Sequence, residues 1–425
     1  MQAAEKQEQK AGCSFLRVQG EVSRSVELGG QVFEETVRST RSDLPPQHDF
    51  FVSALSEPVV TPAQSPTKRL TYVDLFCGGG GLSLGITNAS RFLGRNAKLL
   101  AAVDLDKTAL KLVEDHFKPL ISRSKSVEDL IRYDIDMSGQ MDGFVVEPTV
   151  TDSQISQFRG KVDLLVGGPP CQGHSNLNNR TRRFDSRNLL YLIMPAFAAA
   201  LEVPLVIIEN VPSITQAKEN VVQIAKKVFE TKGYNVAEGV LNAADFGSAQ
   251  TRSRHFLVAS SRGTPNFDEC LNLFATDRLS FDTVCTNLPK LSPGLEILEA
   301  NGQLSNENIA RVNYLHDNNA YNLPNKQRPD CHQEEHTYPS VYGRIHGDQP
   351  MTTITTGFGS PGRGRFIHPH ERRVINIREA GRVQAFPDWY WEPAVEREFK
   401  RAHYQKIIGD AVPSLLAYPL LASLL

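Results

Sequence analysis

The chain carries no cysteine pairing signal. Its six cysteines, Cys13, Cys77, Cys171, Cys270, Cys285 and Cys331, are scattered over 425 residues, and no two stand at CxxC spacing. That speaks against a structural zinc site and a disulfide framework and suits a reducing compartment; no metal is expected. A large net charge is missing too, since 46 Lys and Arg against 48 Asp and Glu leave −2. A nucleic-acid partner would have to be met by local basic patches. No apolar run is read as reaching the ~20 residues of a membrane span, and MQAAEKQEQK lacks the apolar core of a secretory signal. A soluble, cytoplasmic or otherwise intracellular protein with no membrane partner is expected. Internal repeats are also absent.

What is present is a globular composition, 40% hydrophobic and 22% charged, long enough for two or three domains. Residues 1–69 are polar and interrupted and end in the linker-like EPVVTPAQSPTKR; a loosely structured N-terminal extension is expected there, with a small hairpin from the Val, Phe and Leu between Phe15 and Val37 as the alternative. From Leu70 strand-like runs (LTYVDLF, KLLAAVDLD, KVDLLVGG, PLVIIENV, RHFLVASS) alternate with helical stripes such as KTALKLVEDHF and ENVVQIAKKVFE. Pro195 should kink the helix read in NLLYLIMPAFAAALE. This alternation predicts an α/β fold with a doubly wound, mostly parallel sheet, whose ligands sit at the carboxyl ends of the strands. Gly78 to Gly81, Asp104, Cys171 and Glu209 fall at such ends. Residues 266–399 are loop-rich and read as a second, smaller irregular domain, with 70–265 and 400–425 forming the first.

The motifs carry chemistry. In DLFCGGGG the glycines let a backbone approach a ligand closely, and the helix that follows favours anions at its start; a turn needed only for packing reads the same way. Asp104, at the end of the next strand, is placed to accept ribose hydroxyls. Cys171 ends GGPPC, a rigid turn past a strand. Such a position exposes a thiol and lowers its pKa, which suits a nucleophile, whereas a small buried hydrophobe is the plain alternative. Glu209, in ENV, follows a buried strand and is either a proton donor with a raised pKa or a strand-end cap. Arg252 and Arg254, in QTRSR, alternate onto one face as a paired anion or carbonyl site, or else lie on a solvated edge. Arg180, Arg182, Arg183 and Arg187 make a basic loop after the cysteine. GRGRFIHPHERR is a second basic patch.

In order along the chain, DLFCGGGG, GGPPCQGHS, ENV, QTRSR, REAGRVQAFPD and GDAVP resemble the DNA cytosine-5 methyltransferases, from Asp74 to Pro413. The resemblance implies an S-adenosylmethionine-dependent methyltransferase sheet domain, a small target-recognition domain, and double-stranded DNA in the cleft between them. It implies that Cys171 attacks C6 of a flipped cytosine, that Glu209 protonates N3, and that Arg252 and Arg254 position the base. Phe76, Gly78, Gly80, Leu82, Asp104, Asp134, Leu190 and Asp410 would bind the cofactor, S-adenosylmethionine. Arg378, Glu379, Arg382 and Gln384 would hold the recognition domain. A cognate restriction endonuclease is an implied functional partner. Asp410 stands where the family often has Asn, and His174 where Phe is commoner. A tRNA cytosine-5 methyltransferase is the nearest alternative, although its Cys-Phe-Thr block is not evident. A non-catalytic DNA-binding regulator would not need Cys171, Glu209, Arg252 and Arg254 together, and a nicotinamide-dependent oxidoreductase leaves GGPPC and QTRSR unexplained.

Overall fold

Strands that are apolar on both faces are stable only when helices cover both sides of their sheet, and this requirement shapes the centre of the molecule. The computed structural model describes residues 5–10, 12–61, 68–136, 143–170, 186–333 and 340–425. After an N-terminal module, the chain runs through β5 (Lys68–Leu75), α2 (Gly81–Phe92), β6 (Arg95–Val103), α3 (Lys107–Phe117), β7 (Ile121–Arg123), β8 (Ile131–Ile135), β9 (Phe144–Val150), α4 (Ser153–Ser156), β10 (Leu164–Gly167), α5 (Ile193–Leu201), β11 (Leu205–Asn210), α6 (Val221–Thr231), β12 (Asn235–Asn242), β13 (Gln250–Thr251) and β14 (Ser253–Ser260). Seven of these strands form one sheet in the order β12-β14-β11-β10-β5-β6-β7. β10 pairs in parallel with both β5 and β11, whereas β14 runs antiparallel to β11 and β12. Along β5 and β10, Tyr72, Leu164 and Val166 join one apolar cluster and Val73, Leu75 and Leu165 the other, so both faces are covered.

Pro195 does not kink its helix. α5 starts at Ile193 after a 3-10 turn over Ser186–Leu192. Pro195 therefore lies in the first turn, where a missing N–H costs no intrahelical bond.

The remaining elements are α7 (Phe267–Phe274), α8 (Phe281–Cys285), α9 (Asn306–Asp317), β15 (Met351–Thr352), α10 (Ile377–Val383), α11 (Glu392–Glu396), α12 (Arg401–Asp410) and α13 (Ser414–Leu424). A small separate core of Val312, Leu315, Leu323, Val341, Tyr342 and Ile367 lies in the loop-rich region. Arg401–Leu424 is long and apolar enough to cross a membrane by length and composition, which the sequence reading overlooked. In the fold this stretch is two helices, α12 and α13, and 72% of its most apolar window is buried inside the protein.

The expectation of a loosely structured N-terminal extension is corrected. Its described part is a four-stranded antiparallel sheet, β1 (Glu5–Lys10), β2 (Cys13–Val18), β3 (Glu21–Leu28) and β4 (Gln31–Arg38), with α1 (Pro46–Ala54) against it. Phe15, Val22, Val26 and Val37 face inward and share a core with Leu84 and Phe92 of α2. The apolar alternation is hard to read because Arg24 and Glu35 occupy two inward positions directly opposite each other. They form a buried ion pair. The Arg24 guanidinium also lies over the rings of Phe50, Phe51, Phe92, Phe274 and Tyr418, whose faces attract its charge.

Asp49 organises the module. It is fully buried on α1 and accepts from Arg17 Nε at 2.9 Å, Ser39 Oγ at 2.6 Å, Ser53 Oγ at 2.7 Å and the Arg41 N–H at 3.1 Å. Asp49→Ala strands the Arg17 charge and is expected to lower folding stability by about 3 kcal/mol in urea denaturation; a loss below ~1 kcal/mol would show that water replaces the carboxylate.

Candidate active site

β5 and β10 are neighbours, and the chain leaves them in opposite directions along the sheet, which opens a crevice beyond their carboxyl ends. The turns after both strands meet there. The cleft measures about 740 Å³ and is lined by Phe76, Gly78, Leu82, Asp104, Leu190 and Asp410 from the predicted cofactor set, and by Glu209 and Arg254 from the predicted catalytic set.

Asp104 is held by two backbone donors, the N–H of Gly78 and that of Asp106, each at 2.7 Å. Burial raises its carboxyl pKa, and those two N–H groups oppose the rise. Its fixed oxygens present spare lone pairs to the cleft, which is what hydroxyl recognition needs. Behind it, Asp74 is fully buried, accepts from Ser83 Oγ at 2.6 Å and, among the described residues, leaves Oδ1 without a partner. Burial pushes its carboxyl up to about 7, against the Ser83 hydrogen bond and with help from Asp104.

Glu209 is the penultimate residue of β11, only 7% exposed, with Arg254 Nε at 2.7 Å from Oε1. Burial raises its pKa, and the Arg254 and Arg252 charges hold the rise back. Gly168 explains how the carboxylate sits so close to the turn after β10, since a Cβ there would lie 2.9 Å from Glu209 Oε2. Asn210 secures the same turn by donating from Nδ2 to the Pro169 carbonyl at 3.1 Å. Gly168, Pro169 and Pro170 line the cleft. Cys171, His174, Arg180, Arg182 and Arg183 lie outside the described residues, as does the side chain of Arg187.

Three predicted site residues are placed elsewhere. Arg252 does not line the cleft; its guanidinium donates to the carbonyls of Ile354 at 2.8 Å and Gly409 at 3.2 Å. The strand breaks at Arg252, between β13 and β14, so simple alternation does not relate it to Arg254. Gly80 also stays out of the lining. Its φ of +81° and a would-be Cβ 2.7 Å from both the Phe117 ring and the Tyr390 hydroxyl give it a packing role. Asp134 is exposed on β8, in a two-stranded sheet with β9, while Ser126 and Glu128 reach the cleft instead.

Sequence reasoning missed Lys406. Its Nζ is 3.1 Å from both Asp106 and Asp410, which ties α12 to the start of α3 at the cleft. The i,i+4 spacing to Asp410 was the available signal. The charge also explains how an acid is accommodated where Asn is common.

The scaffold residues converge behind the cleft. Arg378 and Arg382 both bind Asp388, and Gln384 donates to the carbonyls of Ile408 and Ala411. Glu379 forms a capping box with Asn376. Among the described residues, His368, Glu371 and Glu379 bring ligand-type atoms within 4.8 Å of one another. The cation they hold is the Arg373 guanidinium, bound to Glu371 at 2.8 Å and Glu379 at 2.6 Å. Although burial would raise the Glu379 carboxyl, Arg373 and His368 hold it down at about 2.

The Asp74 arrangement has a pH signature. An unfolded carboxyl ionises near ~4, whereas the folded one keeps its proton to about 7. The stability it contributes is present below the unfolded value and is lost as pH rises through the folded one. Asp74→Asn is therefore expected to flatten the decline in urea midpoint between pH 5 and pH 8; an unaltered slope would contradict the assignment.

Comparison with known proteins bears on the family and the fold. Residues 70–425 match the family model for C-5 cytosine-specific DNA methylase. The type II methyltransferase M1.BsuMI of Bacillus subtilis (strain 168) is 39% identical over 353 residues, covering 83% of this chain and 79% of that protein. The type II methylase M.HgiDII of Herpetosiphon aurantiacus is 28% identical over 352 residues, covering 81% and 92%. Among solved structures, Entamoeba histolytica EhMeth superposes with a TM-score of 0.52 at 15% identity, covering 84% of this chain and 98% of its own; a variant of Spodoptera frugiperda DNMT2 gives 0.53, 15%, 84% and 99%. These two show the shared fold. With a family model matched across the whole sheet domain and cleft, the chain belongs to the C-5 cytosine-specific DNA methylase family.

Proposed function

We propose that the protein transfers a methyl group from S-adenosylmethionine to C5 of cytosine within a specific double-stranded DNA sequence, through a covalent bond between Cys171 and C6 of a flipped base. The observation that carries this reading is the cleft itself, where the Asp104 carboxylate and the buried Glu209–Arg254 pair line one cavity beside the turn that leads to Cys171.

The residues present fit the cofactor. The cleft is large enough for a nucleoside-bearing molecule, and Asp104 offers fixed acceptors to ribose hydroxyls. Phe76, Gly78, Leu82 and Leu190 would line the rest, and Lys406 leaves Asp410 a neutralised acceptor. Bound there, S-adenosylmethionine supplies an electrophilic methyl group.

The chemistry asked of the chain follows from the weak nucleophilicity of C5. Addition of the Cys171 thiolate to C6 gives C5 enamine character. Glu209, whose carboxyl pKa burial raises against the Arg254 and Arg252 charges, is the group placed to deliver a proton to N3 as charge develops on the ring. Arg254 holds Glu209 in place and faces the base. After C5 accepts the methyl group, loss of its proton and cleavage of the Cys171–C6 bond restore the aromatic ring. Flipping costs a few kcal/mol, which pocket contacts offset. Arg252 supports the site indirectly, by fastening Ile354 and Gly409 beside it. The loop-rich region within residues 266–399 is assigned to base reading. The type II names of the relatives support a role beside a cognate restriction endonuclease inside the cell.

Bisulfite sequencing of DNA from cells expressing the protein tests the reading and reports the modified sequence; DNA without new 5-methylcytosine would refute it, and transfer to tRNA instead would favour the alternative substrate. Cys171→Ser is expected to remove turnover while leaving S-adenosylmethionine affinity within about twofold by calorimetry, because the thiol touches the base alone. Asp104→Ala is expected to weaken cofactor binding roughly tenfold or more, the worth of a lost charged acceptor; unchanged affinity would overturn the ribose assignment.

A further inference from the structure

Residues 1–69 lie outside the family match, which starts at residue 70, yet the N-terminal module reaches into the part of the molecule assigned to reading bases. We infer that this module is a brace that sets the angle of the recognition region over the cleft, and that Arg41 is its positioning residue; the inference rests on the DNA-methylating function proposed above.

The module meets the recognition region at α8. This one-and-a-half-turn helix has no stable conformation of its own, so its orientation is decided by the core packing of Phe281, Val284 and Cys285 and by what satisfies its ends. At its C-terminal end the Arg41 guanidinium donates to the carbonyls of Thr286 at 3.0 Å and Thr283 at 3.4 Å. Arg382 Nε donates to the Val284 carbonyl at 3.1 Å. Positive groups at a helix C-terminus are favourable both as donors and by charge. Arg41 is itself fixed in three ways. Its side chain is buried, Asp43 binds Nε and Nη2 at 2.8 Å each, and its own N–H is held by Asp49. The module also caps Arg382, through Ser56 Oγ at 2.9 Å and the Val52 carbonyl at 3.3 Å, and the Leu55 carbonyl accepts the Asp388 N–H at 2.8 Å.

The other end of α8 carries the recognition region. The N–H groups of Phe281 and Asp282 donate to the carbonyls of Gln349 and Gly347, each at 2.9 Å. The Asp282 carboxylate binds His370 at 2.8 Å. These contacts clamp both flanks of the segment in which Ile345 donates to Ile367 at 2.8 Å, next to the small separate core. α8 is thus a short beam between the brace and that core. A change in its tilt would displace the recognition region while leaving the cofactor end of the cleft in place, since Asp104 is held by the N–H groups of Gly78 and Asp106, and Glu209 and Arg254 by each other.

Steady-state kinetics on the full-length protein with its own DNA substrate test this. Arg41→Ala is expected to raise KM for DNA about fivefold and to increase methylation at near-cognate sites by a similar factor, with kcat and KM for S-adenosylmethionine within about twofold of wild type. Asp43→Asn, at an exposed position that folding tolerates, is expected to shift DNA KM and site selectivity the same way by about twofold, because it loosens the hold on Arg41. Hydrogen exchange should quicken in residues 281–286 and 345–349 of both variants and stay unchanged in residues 70–110. Wild-type DNA KM and selectivity in a folded Arg41→Ala, or in Asp43→Asn should the first variant not fold, overturns the brace. A wild-type enzyme that methylates no DNA defeats the functional reading instead, and the exchange measurement then decides the structural part by itself.

Discussion

Two parallel strands lying side by side, with chains that depart from them in opposite directions, create the constraint on which the rest of this protein depends. The hydrogen-bonded pairing of β5 with β10 leaves a gap beyond their carboxyl ends that neither crossover helix can fill. The turns after these strands must therefore face each other across it. Asp104 enters from β6 on one side and Glu209 from β11 on the other, so each acid inherits its position from a strand whose register is set by buried apolar pairs such as Leu165 with Val206. Rigidity at the site is thus a consequence of sheet packing.

The site also concentrates buried charge. Taking carboxylates out of water is costly unless donors or cations face them. The protein meets that cost differently at each position. Asp104 receives backbone N–H groups and Glu209 receives Arg254, while at the open rim the half-buried Asp106 and the exposed Asp410 share Lys406. Asp74 receives a single donor among the described residues, Ser83, and responds by keeping its proton to about 7. The same logic governs the scaffold behind the cleft, where Asp388 joins Arg378 and Arg382, and Glu379 joins Arg373.

A further layer connects the N-terminal sheet to this scaffold. Its inner face continues the apolar core over α2 and α13, while its polar ends are used as hydrogen-bond partners by α8 and α10. An added module that merely covered a surface would need the first of these and not the second. The presence of both ties it to the frame of α8 and α10 as well as to the apolar core.

Much of the catalytic half was legible in the linear chain because its signals are local. Apolar strand runs ending in glycine or acidic turns specify both a buried parallel sheet and the sheet edge where ligands bind, so Phe76, Gly78, Leu82, Asp104, Leu190, Glu209, Arg254 and Asp410 could be named and all line one cleft. Where a residue's surroundings were not legible in the linear chain, the deciding partner was far away in it. Arg252 was taken for a base-positioning group because nothing local reveals the carbonyls of Ile354 and Gly409. Asp134 matched a short pattern, but the pairing of β8 with β9 carried it away from the cleft. Gly80 was read as a ligand contact although Phe117 and Tyr390 dictate its geometry. The N-terminal strands were hidden by Arg24 and Glu35, two charges at inward positions that become acceptable only when paired under aromatic rings. Periodicity and turn chemistry, being properties of neighbouring residues, settled the sheet and its reactive edge from the sequence alone; which polar groups share a buried space depends on contacts between distant segments, and only the tertiary structure decided that.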